Sequence, residues 1–186
     1  MEEIKIGQHW VCVHRLSKEE LAHSKQQHVL ISMVQKKVDT SITQIEHDSL
    51  GKPFLTDFPS VSISISHSAD WIAFAISKYG EIGIDLEIEN PKITKAAIHF
   101  LNIHEQTRFP LPNLRTLHLI WGAKEAIFKF LGGKINSLQE NIEILSIDYS
   151  QHHIHAKCGS LALKCDFQLL HNQTYLVVCA TEFPTQ

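Results

Sequence analysis

The chain has 186 residues, 44% of them hydrophobic and 20% charged, which fits one ordinary globular domain or two small halves sharing a core. A formal net charge of −3 gives no global basic field to draw in nucleic acid, so a phosphate-bearing ligand needs a local basic pocket. No run of about eighteen apolar residues is present to span a membrane, and Met1-Glu2-Glu3-Ile4-Lys5 lacks the basic and apolar regions of a secretory signal, which leaves the cytoplasm as the expected compartment.

His9 to His14 reads as a short strand. Ser17 and Glu20 have capping-box spacing and predict a helix that continues to about Lys37. Ile42 to Glu46 reads as another short strand, and Gly51-Lys52-Pro53 as a turn. Val61 to Ser66 alternates strictly between apolar and polar residues, the pattern of a half-buried strand. Trp71 to Ser77 and Glu81 to Glu87 follow as strands, separated by a turn at Tyr79-Gly80. Their short connections predict an antiparallel meander. Pro91 stops the third strand. Helical stretches are expected over Lys92 to Phe100, His104 to Arg108 and, beyond Pro110 and Pro112, Leu114 to Leu131, ended by Gly132-Gly133. Four strands are predicted after that: Ile142 to Asp148, His152 to Lys157, Leu161 to Leu169 and Thr174 to Ala180.

Each half therefore runs helix then antiparallel strands. The expected fold is α+β, with two packed subdomains, residues 1–89 and 90–186, each a helix packed on a small antiparallel sheet. Cys12, Cys158, Cys165 and Cys179 form no C-x-x-C pair and read as buried free thiols. His152, His153 and His155 crowd towards Cys158, with His153 and His155 on one strand face. Spacings such as C-x₂-C or H-x₃-H are missing, which disfavours zinc there.

Three segments carry chemistry. In Ile82-Gly83-Ile84-Asp85-Leu86-Glu87, strand alternation sends Asp85 and Glu87 to one face and Leu86 to the core. Two adjacent carboxylates repel unless a cation sits between them, and an all-oxygen pair suits a hard ion such as Mg²⁺, although a solvated strand end looks the same in isolation. In Trp121-Gly122-Ala123-Lys124-Glu125-Ala126-Ile127-Phe128-Lys129, helical spacing puts Trp121, Glu125 and Lys129 on one face; a surface ion pair is the plain alternative. Gly122 costs about 1 kcal/mol relative to alanine in mid-helix, which calls either for a close approach to the backbone or for tight helix packing. Gly51-Lys52-Pro53 and Ile65-Ser66-His67-Ser68 place a lysine, a histidine and two hydroxyls near strand ends, groups suited to clamping phosphate oxygens.

In order and spacing these segments resemble the 4′-phosphopantetheinyl transferase superfamily, whose pattern looks like I-G-[IV]-D followed downstream by W-x-x-K-E-A-x-x-K. The G-K-P and I-S-H-S elements make the chain similar to the larger, surfactin-synthetase-activator type. The resemblance covers about Gly51 to Gly133. It implies that the two subdomains are similar and related by pseudo-two-fold symmetry, and that the chain is a monomeric enzyme that transfers 4′-phosphopantetheine from coenzyme A to a serine of an acyl or peptidyl carrier protein, with no role for nucleic acid or membrane. It also implies Mg²⁺ ligands Asp85, Glu87 and Glu125, and a proton acceptor in Glu125 or, second, Glu105. Lys129 is implied on the transferring phosphate, Lys52, Ser66 and His67 on the coenzyme A phosphates, and Lys124 at the edge of the site. The chain departs from the pattern in its first helix. Where related chains carry K-R-R and a later arginine, it has Lys25-Gln26-Gln27 and Ser32, which implies either weaker coenzyme A binding or the use of Lys25, Arg15 or Lys36 for the adenosine end. Competing expectations are a catalytically weak homologue that binds coenzyme A or a carrier protein, and a non-enzymatic structural α+β protein.

Overall fold

The computed structural model describes residues 1–170 and 174–181. Its elements in chain order are β1 (Glu2–Ile6), β2 (His9–Arg15), α1 (His23–Lys37), β3 (Glu46–His47), β4 (Pro53–Phe54), β5 (Ser62–Ser68), β6 (Trp71–Ser77), β7 (Ile82–Ile88), α2 (Ile93–Ala96), a 3₁₀ turn (Ala97–His99), α3 (Ile103–Arg108), α4 (Leu114–Phe130), α5 (Leu138–Asn141), β8 (Ile142–Asp148), β9 (His153–Cys158), β10 (Leu161–Leu170) and β11 (Thr174–Ala180). Two antiparallel sheets form, one in the order β1-β2-β6-β5 and the other β7-β11-β10-β9-β8, with β3 and β4 a small separate ladder.

Three hydrophobic clusters stack these elements into layers. Met33 and Val34 of α1 pack on Cys12, Ile63 and Phe74, one face of the first sheet. The opposite face, Val11, Val13, Ala73 and Ala75, packs on Ile82, Ile84 and Leu86 of β7 and on Leu176 and Val178 of β11. On the far side of the second sheet, Leu119, Ile120, Ala123 and Ile127 of α4 pack on residues such as Phe167, Tyr175 and Val177. The result is helix, sheet, sheet, helix, the α+β arrangement expected from the chain pattern. Strands between two such cores are buried on both faces, which explains the almost continuous apolar run Trp71-Ile72-Ala73-Phe74-Ala75-Ile76. Among the described residues no helix is long and apolar enough to cross a membrane.

The expected meander is corrected. β5 and β6 pair, but β7 leaves the first sheet and pairs along its whole length with β11, from Ile82 opposite Ala180 to Ile88 opposite Thr174. So β7, which precedes the division expected near Glu89, hydrogen-bonds within the second sheet. Its outer edge is not left open. The backbone N–H groups of Ile84, Leu86 and Ile88 donate to the hydroxyls of Ser64, Ser66 and Ser68 at 3.0, 3.2 and 3.4 Å. The alternating serines of β5 thus join the sheets through side chains where a backbone ladder would otherwise run, while Ile63 and Ile65 turn toward the α1 core.

Two local readings are also corrected. The capping box at Ser17 and Glu20 is made, with Ser17 N–H donating to Glu20 Oε2 at 2.7 Å, yet it closes only a turn and α1 begins at His23. β1 was not anticipated; it pairs with β2 through a turn at Gly7, whose φ is +56°. Of the imidazoles near Cys158, His153 pairs with Asp166 at 3.0 Å and His155 is exposed.

Candidate active site

Because Ile82, Ile84 and Leu86 face the first sheet, strand alternation turns Gly83, Asp85 and Glu87 toward α4. Gly83 allows the contact. A β-carbon there would lie 2.0 Å from the Ala126 carbonyl oxygen and 2.4 Å from the Phe130 nitrogen, so α4 rests directly on the strand backbone. Gly122 has a related cause: a β-carbon would stand 3.1 Å from Val177 Cγ2 and 3.6 Å from Asp85 Oδ2. The close approach that the mid-helix glycine called for is β11 and the Asp85 carboxylate.

Lys129, Asp85 and Ser66 meet at the seam of the two sheets. Lys129 Nζ donates to Asp85 Oδ1 at 2.8 Å, to Ser66 Oγ at 3.1 Å and to the Ile84 carbonyl at 3.0 Å. Ser66 Oγ donates to the same Asp85 oxygen at 2.9 Å. Asp85 is buried, and its second oxygen, Oδ2, has no hydrogen-bond partner among the described residues. Burial pushes its carboxyl above the ordinary aspartate value, Glu87 adds to the rise and Lys129 opposes it.

Glu87 is half-buried and is held from α4: Trp121 Nε1 donates to its Oε1 at 3.1 Å, and His118 Nδ1 stands 3.7 Å from its Oε2. Burial lifts Glu125 above the ordinary glutamate value, and the charges of Asp85 and Glu87 lift it further while Lys129 opposes. The three carboxylates therefore share one electrostatic neighbourhood. Among the described residues they do not close into a ready-made metal cage of three ligands. They nevertheless fit a hard divalent cation: the donors are all oxygens, one buried carboxylate oxygen is unpartnered, and the mutual repulsion that raises Glu125 is the kind a cation relieves.

The remaining expected residues divide. Lys52 ion-pairs with Glu81, which also accepts from Ser62 Oγ at 2.8 Å, and lines a small cleft of about 110 Å³ with Gly51, Ser64, Lys129 and Gly132. His67 is exposed and lines a larger cavity of about 640 Å³ with Gln26, Gln27, His28, Gln44 and His47. Cleft and cavity share the lining residues Gly51, Pro53 and Ile65. Arg15 ion-pairs with Asp70 at 2.8 Å.

Lys124 and Glu105 are not brought to the site, which corrects both expectations. Lys124 is wholly buried, and its Nζ donates to the carbonyls of Phe100, Leu138 and Ile142 and to Glu105 Oε2, all within 3.2 Å. Glu105, also wholly buried, accepts in addition from the backbone N–H groups of Asn102 at 2.8 Å and Ile144 at 2.7 Å. A carboxylate committed to three donors in the interior is a brace between α3, α4 and β8, and has no free oxygen to take a substrate proton. Sequence reasoning missed His118 and the donor role of Trp121; the signal available was their spacing, seven and four residues before Glu125 on one helix.

Comparison with known proteins adds the family. Residues 81–180, the stretch from β7 through β11, match the model of the 4′-phosphopantetheinyl transferase superfamily. The chain is similar to the 4′-phosphopantetheinyl transferase AcpT of Escherichia coli strain K12, 30% identical over 117 residues that cover 60% of this chain and 57% of that protein. It is 31% identical over 114 residues to the 4′-phosphopantetheinyl transferase psf-1 of Bacillus pumilus, covering 59% of this chain and 47% of the relative. A 4′-phosphopantetheinyl transferase of Bacillus subtilis is 31% identical over 86 residues, 44% of this chain and 38% of its own. The chain thus spans about half the length of the curated relatives it matches.

Proposed function

Because the chain belongs to the 4′-phosphopantetheinyl transferase superfamily, we propose that it moves 4′-phosphopantetheine from coenzyme A to a serine hydroxyl of an acyl or peptidyl carrier protein. The serine oxygen bonds to the phosphorus beside pantetheine, the pyrophosphate bond breaks, and adenosine 3′,5′-bisphosphate leaves. The observation that carries this reading is the Lys129–Asp85–Ser66 cluster, with Glu87 and Glu125 in the same electrostatic neighbourhood and Lys129 lining a small cleft beside Lys52.

Asp85, Glu87 and Glu125 would hold Mg²⁺, and the bound ion supplies neutralisation of charge on the pyrophosphate. The chain's own groups do the rest. Lys129 exchanges its Asp85 contact for an oxygen of the transferring phosphoryl group, and Lys52 exchanges Glu81 for a neighbouring phosphate oxygen. Ser66, beside Lys129, and His67, at the cavity, orient the donor. Glu125, whose carboxyl is raised by burial, accepts the serine proton directly or through a water. Phosphoryl transfer needs mainly positioning and charge stabilisation, so these few groups suffice. The site draws on both sheets of one chain, which supports action as a monomer, and four free cysteines suit a reducing compartment, the cytoplasm.

A second reading, a homologue that binds coenzyme A and transfers slowly, draws support from the cavity wall, where Gln26, Gln27 and His28 stand and no lysine or arginine is among the lining residues. Incubation with coenzyme A, Mg²⁺ and a panel of apo carrier proteins, read by mass spectrometry, separates the two. The transferase reading expects stoichiometric loading of at least one carrier, abolished by Glu125→Gln in a variant that still folds. Coenzyme A binding without loading of any carrier would establish the second reading instead.

A further inference from the structure

We propose that His118 is a positioning residue for Glu87, held as a single tautomer so that its Nδ1–H aims at that carboxylate. The inference rests on the reading of Asp85, Glu87 and Glu125 as ligands of a divalent cation. On α4, His118, Trp121 and Glu125 fall at helical spacing along the stripe facing β7. His118 is buried, and its Nε2 accepts the backbone N–H of Asn90 at 2.9 Å. An amide donor at Nε2 leaves the lone pair there and the ring proton on Nδ1. Tyr175 stacks on the imidazole, with centroids 5.4 Å apart and planes 8° from parallel, and the Tyr175 hydroxyl donates in turn to Glu89. Ring plane and tautomer are therefore both set by neighbours.

The outcome is a buried Nδ1–H with no hydrogen-bond partner among the described residues, 3.7 Å from Glu87 Oε2. The other Glu87 oxygen already accepts from Trp121. One donor from α4 thus addresses each oxygen of the carboxylate, and the helix, not the strand that carries Glu87, fixes how its lone pairs are presented. Donors of this kind, one bond removed from a metal, typically change affinity about 10- to 100-fold when removed.

Mn²⁺ binding, followed by electron paramagnetic resonance in the presence of coenzyme A, tests the proposal on the parent, His118→Leu, His118→Asn, Glu87→Gln and the His118→Leu/Glu87→Gln pair, with circular dichroism as the check on folding. His118→Leu is expected to weaken Mn²⁺ about tenfold or more. His118→Asn, whose amide N–H lies near the Nδ1 position, is expected to recover most of that loss, and the Leu substitution is expected to add nothing once Glu87 is Gln. Parent-like Mn²⁺ affinity in folded His118→Leu, or additive losses in the pair, overturns the role of His118 alone. No Mn²⁺ uptake by the parent overturns the cation reading and this inference with it. Should His118→Leu fail to fold, ¹⁵N spectra of the parent imidazole still decide: a proton on Nδ1 is expected, and a proton on Nε2 refutes the assignment.

Discussion

Gly83 of β7 lies against the peptide of Ala126 in α4 so closely that a β-carbon on the glycine would meet the Ala126 carbonyl oxygen at 2.0 Å. Both obstructing atoms, that oxygen and the Phe130 nitrogen, belong to the helix backbone, so no side-chain rotation makes room. Gly83→Ala must push α4 off the second sheet and carry Glu125 and Lys129 away from Asp85. Overpacking of a core costs about 1–3 kcal/mol where side chains yield, and here the loss is expected at or beyond the upper end. Urea unfolding is the measure, and an Ala variant with the parent's midpoint would show that the helix does not sit where the structure puts it.

The serine bridge between the sheets makes a graded prediction. Ser64 and Ser66 are buried, whereas Ser68 is only half-buried. Ser66→Ala strips the Leu86 N–H of its acceptor and also takes a donor from Asp85 and an acceptor from Lys129. A buried polar group left unsatisfied costs about 1–3 kcal/mol. Ser68→Ala lets water replace the hydroxyl and is expected to cost less than about 0.5 kcal/mol. Equal losses at the two positions in chemical denaturation would argue against the side-chain bridge.

Lys124 and Glu105 form a pair with neither member exposed. Burial pulls the Lys124 ammonium below the ordinary lysine value, and Glu105 opposes that pull. Lys124→Met leaves the Glu105 charge buried with only backbone donors, a loss of about 3–5 kcal/mol in comparable pairs. The double variant Lys124→Met/Glu105→Gln is expected to be more stable than the single one, because it removes the uncompensated charge. Thermal melts of the two variants decide; a double variant less stable than the single would mean that the ion pair is not the source of the loss.

How far these relations are legible in the sequence depends on the range over which each is fixed. The face shared by Asp85 and Glu87 follows from strand alternation within seven residues, and the face shared by Trp121, Glu125 and Lys129 from helical spacing within nine; both were readable. The partner of β7 was not, because local turn chemistry at Tyr79-Gly80 favours a hairpin with β6. The pairing with Thr174–Ala180 is decided by packing between distant segments. Alternating serines on β5 read as the polar face of a half-buried strand, since nothing local reveals that another strand's amides come to meet them. The burial of Lys124, expected at the edge of the site, is hidden for the same reason: its acceptors at Phe100, Glu105, Leu138 and Ile142 are spread across the second half of the chain.

The raised carboxyl of Glu125 ties stability to pH and to divalent cations. Burial is the first cause, the charge of Asp85 the second. A carboxyl raised in the folded chain binds its proton more tightly there than in the unfolded one. Its stabilising contribution is complete below the ordinary value near 4.5 and is lost as pH rises through the raised value. In a metal-free buffer, the melting temperature of the parent is therefore expected to fall more steeply between about pH 5 and pH 8 than that of Glu125→Gln, which has no such proton to release. Asp85 is raised in the same direction and is relieved of the Glu125 charge in the variant, which flattens the variant's pH dependence further. A cation that neutralises the cluster reverses the penalty. Mg²⁺ at about 100 times its dissociation constant is expected to add about 2.7 kcal/mol at pH 8, less at pH 5, where protons compete for the same oxygens, and little to Glu125→Gln at either pH. Parallel melting curves for the two proteins across this range, with and without Mg²⁺, would remove Glu125 from the cluster that Asp85 and Glu87 begin.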